Sequence, residues 1–87
     1  MNSNVEIYEK AQHAINELKS AVLQIVRQNS GVKNVDVGIA LGIHKTPDGE
    51  HEGYVSSYIL RLLKAEGLVE QPKPASKWYP TPTIPTG

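Results

Sequence analysis

Apolar residues recur every three or four positions along the first third of the chain. The repeat runs through Tyr8, Ala11, Ile15, Leu18, Val22 and Ile25. This spacing keeps one face of an α-helix apolar, and Ser3 with Glu6 has the Ser-x-x-Glu pattern of a capping box at a helix start. The pattern predicts one helix from near Asn4 to about Gln28. Asn29-Ser30-Gly31 should end it, because glycine readily adopts the left-handed conformation that closes a last turn.

The predicted first helix is too long to pack along its whole length on a small domain. A rise of 1.5 Å per residue gives it a length of roughly 37 Å, so residues 1–19 are predicted to form a helical extension. The apolar positions fit a and d of nearly three heptads, the pattern with which helices pair. We therefore expect a homodimer, parallel or antiparallel, that forms through Tyr8, Ala11, Ile15, Leu18 and Val22. The alternative is a helix that breaks near Asn16 or Ser20 and folds back.

A second apolar segment, Val35 to Leu41, contains few polar residues. It predicts a short, mostly buried helix that is capped by Asn34 or Asp36, with Gly42 providing the turn after it. Residues 44–53 are polar and contain Pro-Asp-Gly, which indicates an exposed loop or a small hairpin.

The segment from Tyr54 to Glu66 has the two-sided pattern of a third helix. The side predicted to pack holds Val55, Ser56, Ile59, Leu60, Leu62 and Leu63. The outward side holds Tyr54, Ser57, Arg61 and Lys64, with Tyr58 at its edge. After Gly67, two short runs that begin at Leu68 and Lys77 flank a proline-containing loop and predict a pair of antiparallel strands. Trp78 is predicted to fill the core, with Tyr79 on the other face.

The order helix, turn, helix, glycine stop and two strands resembles the winged helix-turn-helix superfamily, as does the run Glu66-Gly67-Leu68-Val69-Glu70. The resemblance extends from about Ser20 to Pro82. It implies an α+β, mainly α, fold with a winged helix domain at 20–80 and a two-stranded wing. The helical extension 1–19 precedes this domain, and a flexible Pro/Thr-rich tail follows at 81–87. The 44–53 connection is longer than the usual turn of the motif.

The resemblance also implies a function, namely sequence-specific binding of double-stranded DNA in transcription regulation. The binding elements would be the helix 54–66 and the wing 70–79. The residues expected to contact DNA are Tyr54, Ser57, Tyr58, Arg61, Lys64, Lys73, Ser76 and Lys77. Arg61 suits a bidentate pair with guanine, and Lys64 suits a phosphate.

The charge balance favours a second possibility. The nine Lys and Arg residues equal the nine Asp and Glu residues, whereas nucleic-acid-binding domains usually carry a basic excess. The alternative function is therefore a winged-helix adaptor that makes no DNA contact. It would hold a protein partner through Tyr54, Tyr58 and the acidic 48–52 loop.

Other classes of function have little support in the sequence. The chain contains no cysteine, which fits a reducing, cytoplasmic location. It contains no phosphate-binding loop or catalytic motif, so we expect neither enzymatic activity nor a cofactor. Possible metal ligands gather at His44, Asp48, Glu50, His51 and Glu52, but their spacing matches no established metal site, and none is predicted.

Overall fold

A computed structural model describes residues 3–44, 53–72 and 77–82. Along the chain these residues form α1 (Ser3–Gln28), β1 (Val32–Lys33), α2 (Asn34–Leu41), α3 (Tyr54–Ala65), β2 (Val69–Glu70) and β3 (Lys77–Pro80). The described part is mainly helical with a small three-stranded antiparallel sheet. This confirms the predicted α+β, mainly α, class.

The sheet has the strand order β1-β3-β2, so the last strand is the central one. Val32 lies opposite Trp78 on one side of β3, and Val69 lies opposite Pro80 on the other. The sequence pattern predicted β2 and β3 but no strand at Val32–Lys33. Two residues are too few to show the alternation that marks a strand, so β1 can be recognised only through its pairing with β3.

The core lies where α1, α2, α3 and the sheet meet. Its buried apolar residues are Val22, Val26, Val37, Ile59, Leu60, Leu63, Val69 and Trp78. Trp78 is only 5% exposed, which confirms its predicted role in packing. Because β3 is central, the indole ring is held by a strand with neighbours on both sides.

Only the C-terminal half of α1 joins this core. Residues 4–14 are all exposed, Ile15 and Leu18 are half-buried, and Val22 is fully buried. The helix continues without a break through Asn16 and Ser20. Val22 therefore packs inside its own chain, so its predicted place in a dimer contact is wrong. Tyr8 and Ala11 remain exposed.

The predicted burial of α2 is also wrong. Only Val37 and Gly38 are buried, while Val35 is 38% and Ile39 63% exposed. α2 is held on the domain by few buried residues because its backbone packs closely at Gly38. A Cβ there would lie 3.0 Å from the His44 Cβ and 3.3 Å from the Ser56 Oγ. No side chain caps the start of α2, so the predicted cap at Asn34 or Asp36 does not form.

The segment after β3 is tied to the turn that follows α3. The Thr81 backbone N–H donates to the Leu68 carbonyl at 3.1 Å, and its hydroxyl donates to the Gly67 carbonyl at 2.7 Å. Thr81 was assigned to the flexible tail, and these bonds instead attach it to the domain. Residues 83–87 of the predicted tail lie outside the described part of the chain.

Candidate nucleic-acid interface

The outward side of α3 carries the predicted polar and aromatic residues. Tyr54 is 75% and Tyr58 54% exposed. Arg61 and Lys64 are also exposed, and Ser57 is half-buried. The positions 54, 58 and 61 are separated by four and three residues, so their side chains leave the helix on one side. The structure thus brings the five α3 residues of the predicted site onto neighbouring parts of one surface.

The inward side of α3 differs from the prediction at one residue. Ser56, Ile59, Leu60 and Leu63 are buried as expected. Val55, however, is 46% exposed. It lies at the border of the covered side, since the next residue of the same turn, Ser56, is fully buried. Val55 therefore adds an apolar contact area beside Tyr54 and Tyr58.

The start of α3 is joined to the start of α2 by hydrogen bonds. The Asn34 side-chain amide donates to the Gly53 carbonyl at 3.2 Å. The Ser56 hydroxyl, fully buried, lies 3.3 Å from the same carbonyl and 3.4 Å from the Asn34 carbonyl. Residue 53 must be small, since a Cβ there would come within 2.5 Å of the Asn34 amide nitrogen. This junction sets the position of the first turn of α3 relative to β1, which directly precedes Asn34.

Next to this junction lie two lysines on adjacent strands. Lys33 on β1 is directly opposite Lys77 on β3, and both are exposed. Directly opposed residues in an antiparallel pair have Cβ atoms about 4.5–5.5 Å apart, a distance at which like charges repel. Within residues 3–44, 53–72 and 77–82, neither lysine forms an ion pair. The Lys33–Lys77 pair is therefore a concentrated positive charge on the sheet, and Lys33 directly precedes Asn34, which is bonded to Gly53.

Among the described residues, no carboxylate forms an ion pair with Arg61, Lys64, Lys33 or Lys77. α3 itself contains no Asp or Glu. Glu66, just after α3, is paired with Lys19 of α1. Asp36 of α2 lines a shallow cleft together with Ile25 and Asn29 of the α1 end, on the side of α2 that faces α1. Neither acid pairs with Arg61 or Lys64.

The remaining predicted site residues divide into two groups. Lys77 is described and exposed, whereas Lys73 and Ser76 lie outside the described residues, as do Asp48, Glu50, His51 and Glu52. Lys33 is a candidate that the sequence pattern missed. Its pairing partner is far away along the chain, so only the strand register reveals it.

Comparisons with protein-family models, with curated proteins and with solved structures found no match for this chain. Among the described helices, none is both long enough and apolar enough to cross a bilayer. Two features of the described residues therefore remain to indicate a function: the outward side of α3 and the exposed Lys33–Lys77 pair on the sheet.

Proposed function

We propose that this chain is a winged helix-turn-helix domain that binds double-stranded DNA and regulates transcription in the cytoplasm. The order α1-β1-α2-α3-β2-β3 and the sheet order β1-β3-β2 are consistent with that architecture. In this proposal α3 is the helix that reads the DNA, and the connection between β2 and β3 is the wing.

The proposed contacts follow from the size and chemistry of α3. A helix with its side chains is about 10–12 Å across, and the major groove is about 12 Å wide. Arg61 would pair with a guanine edge, while Lys64 would contact a phosphate. The Tyr54 and Tyr58 hydroxyls would donate to phosphate oxygens. Lys33 and Lys77 would contact the backbone beside the groove.

One observation carries the proposal: the exposed side of α3 joins tyrosines, arginine and lysine in the absence of any carboxylate on that helix. A merely solvated helix face usually mixes charges of both signs, because opposite charges four residues apart stabilise a helix. A surface that presents only positive charge and hydrogen-bond donors suits a polyanion.

The second candidate is a protein-binding adaptor, and a specific observation supports it. Apolar and aromatic side chains are exposed on α2 and at the start of α3, namely Val35, Ile39, Tyr54, Val55 and Tyr58. Exposed apolar patches are common at protein interfaces. The zero formal net charge of the chain also suits a protein partner better than DNA.

A salt titration with a random-sequence duplex separates the two candidates. If Lys33, Lys64 and Lys77 each neutralise one phosphate, log K should fall with log salt at a slope of roughly −3 per bound chain. Fluorescence anisotropy of a labelled duplex gives this slope. Binding that is undetectable even at low salt would reject DNA and favour the adaptor.

Arg61→Ala should weaken binding to the preferred sequence by about 1–3 kcal/mol and reduce discrimination at one base pair. The preferred sequence is first selected from a pool of random duplexes, and anisotropy then compares it with single-base variants. Lys10→Ala is the matched control, because it removes the same charge from the exposed part of α1. Unchanged discrimination in Arg61→Ala would remove Arg61 from the reading surface.

A further inference from the structure

The exposed half of α1 presents an apolar face that its own domain does not cover. Val5 is 49% exposed, and Ile7 and Tyr8 are each 64% exposed. With Ala11 and Ala14 they lie on the side of the helix that, further along the chain, packs on the core through Ile15, Leu18, Val22 and Val26. The core-facing stripe thus continues for about 16 Å, the length of residues 4–14, beyond the part that the domain covers.

The charges of this segment lie elsewhere on the helix. With 100° per residue, Glu6, Glu9, Lys10 and His13 fall on the opposite side. His13 and Glu17 contact each other there at 3.8 Å. The heptad positions a, d, e and g of residues 4–15 therefore carry no charge. Two copies of this face can meet without like-charge repulsion.

We propose that α1 of a second copy packs antiparallel on this face, with Tyr8 of each chain against Ala11 of the other. In an antiparallel pair the a positions of one helix face the d positions of its partner, and in this segment Tyr8 is an a residue and Ala11 a d residue. Ile7 then lies beside Ala14 of the second copy. Large side chains meet small ones in both directions, which is the complementarity that close helix packing needs.

The core of each domain excludes the register that is shifted by one heptad toward it. Pairing Tyr8 with Ala11 places Asn4 opposite Ile15, so the overlap spans residues 4–15. A shift by one heptad would pair Tyr8 with Leu18 and Asn4 with Val22. Val22 is 0% exposed and faces its own core, so a second helix cannot reach it. The segment cannot cover its apolar face by folding back, because α1 is continuous.

Introduced cysteines test the geometry, because the natural chain contains none. Tyr8→Cys and Ala11→Cys are purified separately, then oxidised alone and as a mixture, and covalent dimers are measured on a non-reducing gel. The proposed register predicts that the mixture forms dimers containing one chain of each variant, while each variant alone forms few. His13→Cys, on the charged side of the same segment, is the control for random collision.

Three results would overturn the proposal. Self-crosslinking of each variant would indicate a parallel pair. A mixture that crosslinks no faster than His13→Cys would show that the faces do not meet. A natural chain that sediments as a single copy at the crosslinking concentration would leave the face for a different partner.

A second measurement checks the association without cysteine. Ala11→Glu should shift the sedimentation mass from two chains to one, because it places two carboxylates in the apolar contact. Asn16→Glu adds the same charge to an exposed position outside the overlap and should remain dimeric. Ala11 and Asn16 are both exposed and take no part in the core, so both variants should keep the far-ultraviolet circular dichroism of a folded domain. Equal masses for the two variants would contradict the interface.

Discussion

Trp78→Ala should destabilise the domain by about 3–5 kcal/mol, the range for removing a buried tryptophan. A domain of this size has a total stability of roughly 4–13 kcal/mol, so the variant loses a large share of it. Trp78 is 5% exposed in the core cluster that contains Val22 and Leu60. Its carbonyl also accepts the Gly31 N–H at 2.8 Å. The ring packs the sheet on the helices.

Urea unfolding followed by circular dichroism at a helical wavelength measures this loss, since the variant has no tryptophan for fluorescence. Tyr58→Ala is the matched control. It also removes an aromatic ring, but from a side chain that is 54% exposed, and it should change the stability by no more than about 0.5 kcal/mol. Similar losses in both variants would mean that the core is not centred on Trp78.

The elements that sequence predicted well are those with long or two-sided patterns. α1 ends at Gln28 and α3 begins at Tyr54, as the periodicity indicated, because many residues contribute to each pattern. The left-handed Gly31 and Gly42 also follow from local chemistry, since glycine takes positive φ without a steric cost. Trp78 could be placed in the core by size alone.

The errors arise where the surroundings, rather than the segment, decide the outcome. α2 is almost wholly apolar, yet Val35 and Ile39 are exposed because the domain is too small to cover every side of it. Val22 fits a heptad as well as Tyr8 does. Only the position of the core shows that Val22 is covered by its own domain and that Tyr8 is not.

The candidate site was predicted only in part, because some of its residues depend on the surroundings rather than on their own segment. The outward residues of α3 follow from one helical pattern, so Tyr54, Arg61 and Lys64 could be named from sequence. Lys33 could not, because its position depends on strand pairing and on the bond between Asn34 and Gly53. That junction is the link between the two parts of the surface. It fixes the residue after Lys33 against the residue before the first turn of the helix proposed to read DNA.

Lys33→Ala and Lys77→Ala together should reduce the salt slope of DNA binding by about 2, one for each phosphate that is no longer neutralised. Binding should weaken alike for preferred and random sequences, because a phosphate carries no base information. Folding stability should not fall and is expected to rise slightly, since directly opposed like charges on adjacent strands repel. Weaker binding at undiminished stability is the signature of residues placed for a ligand rather than for the fold.

Each single variant should reduce the slope by about 1, and Lys10→Ala should leave it unchanged. Anisotropy titrations at several salt concentrations give the slopes, and urea unfolding gives the stabilities. If the double variant gains stability but keeps the full slope, the lysine pair lies away from the DNA, and α3 must bind without it. If instead both slope and stability fall, the lysines support the sheet through contacts of their aliphatic stems, and the drop in affinity is a consequence of unfolding.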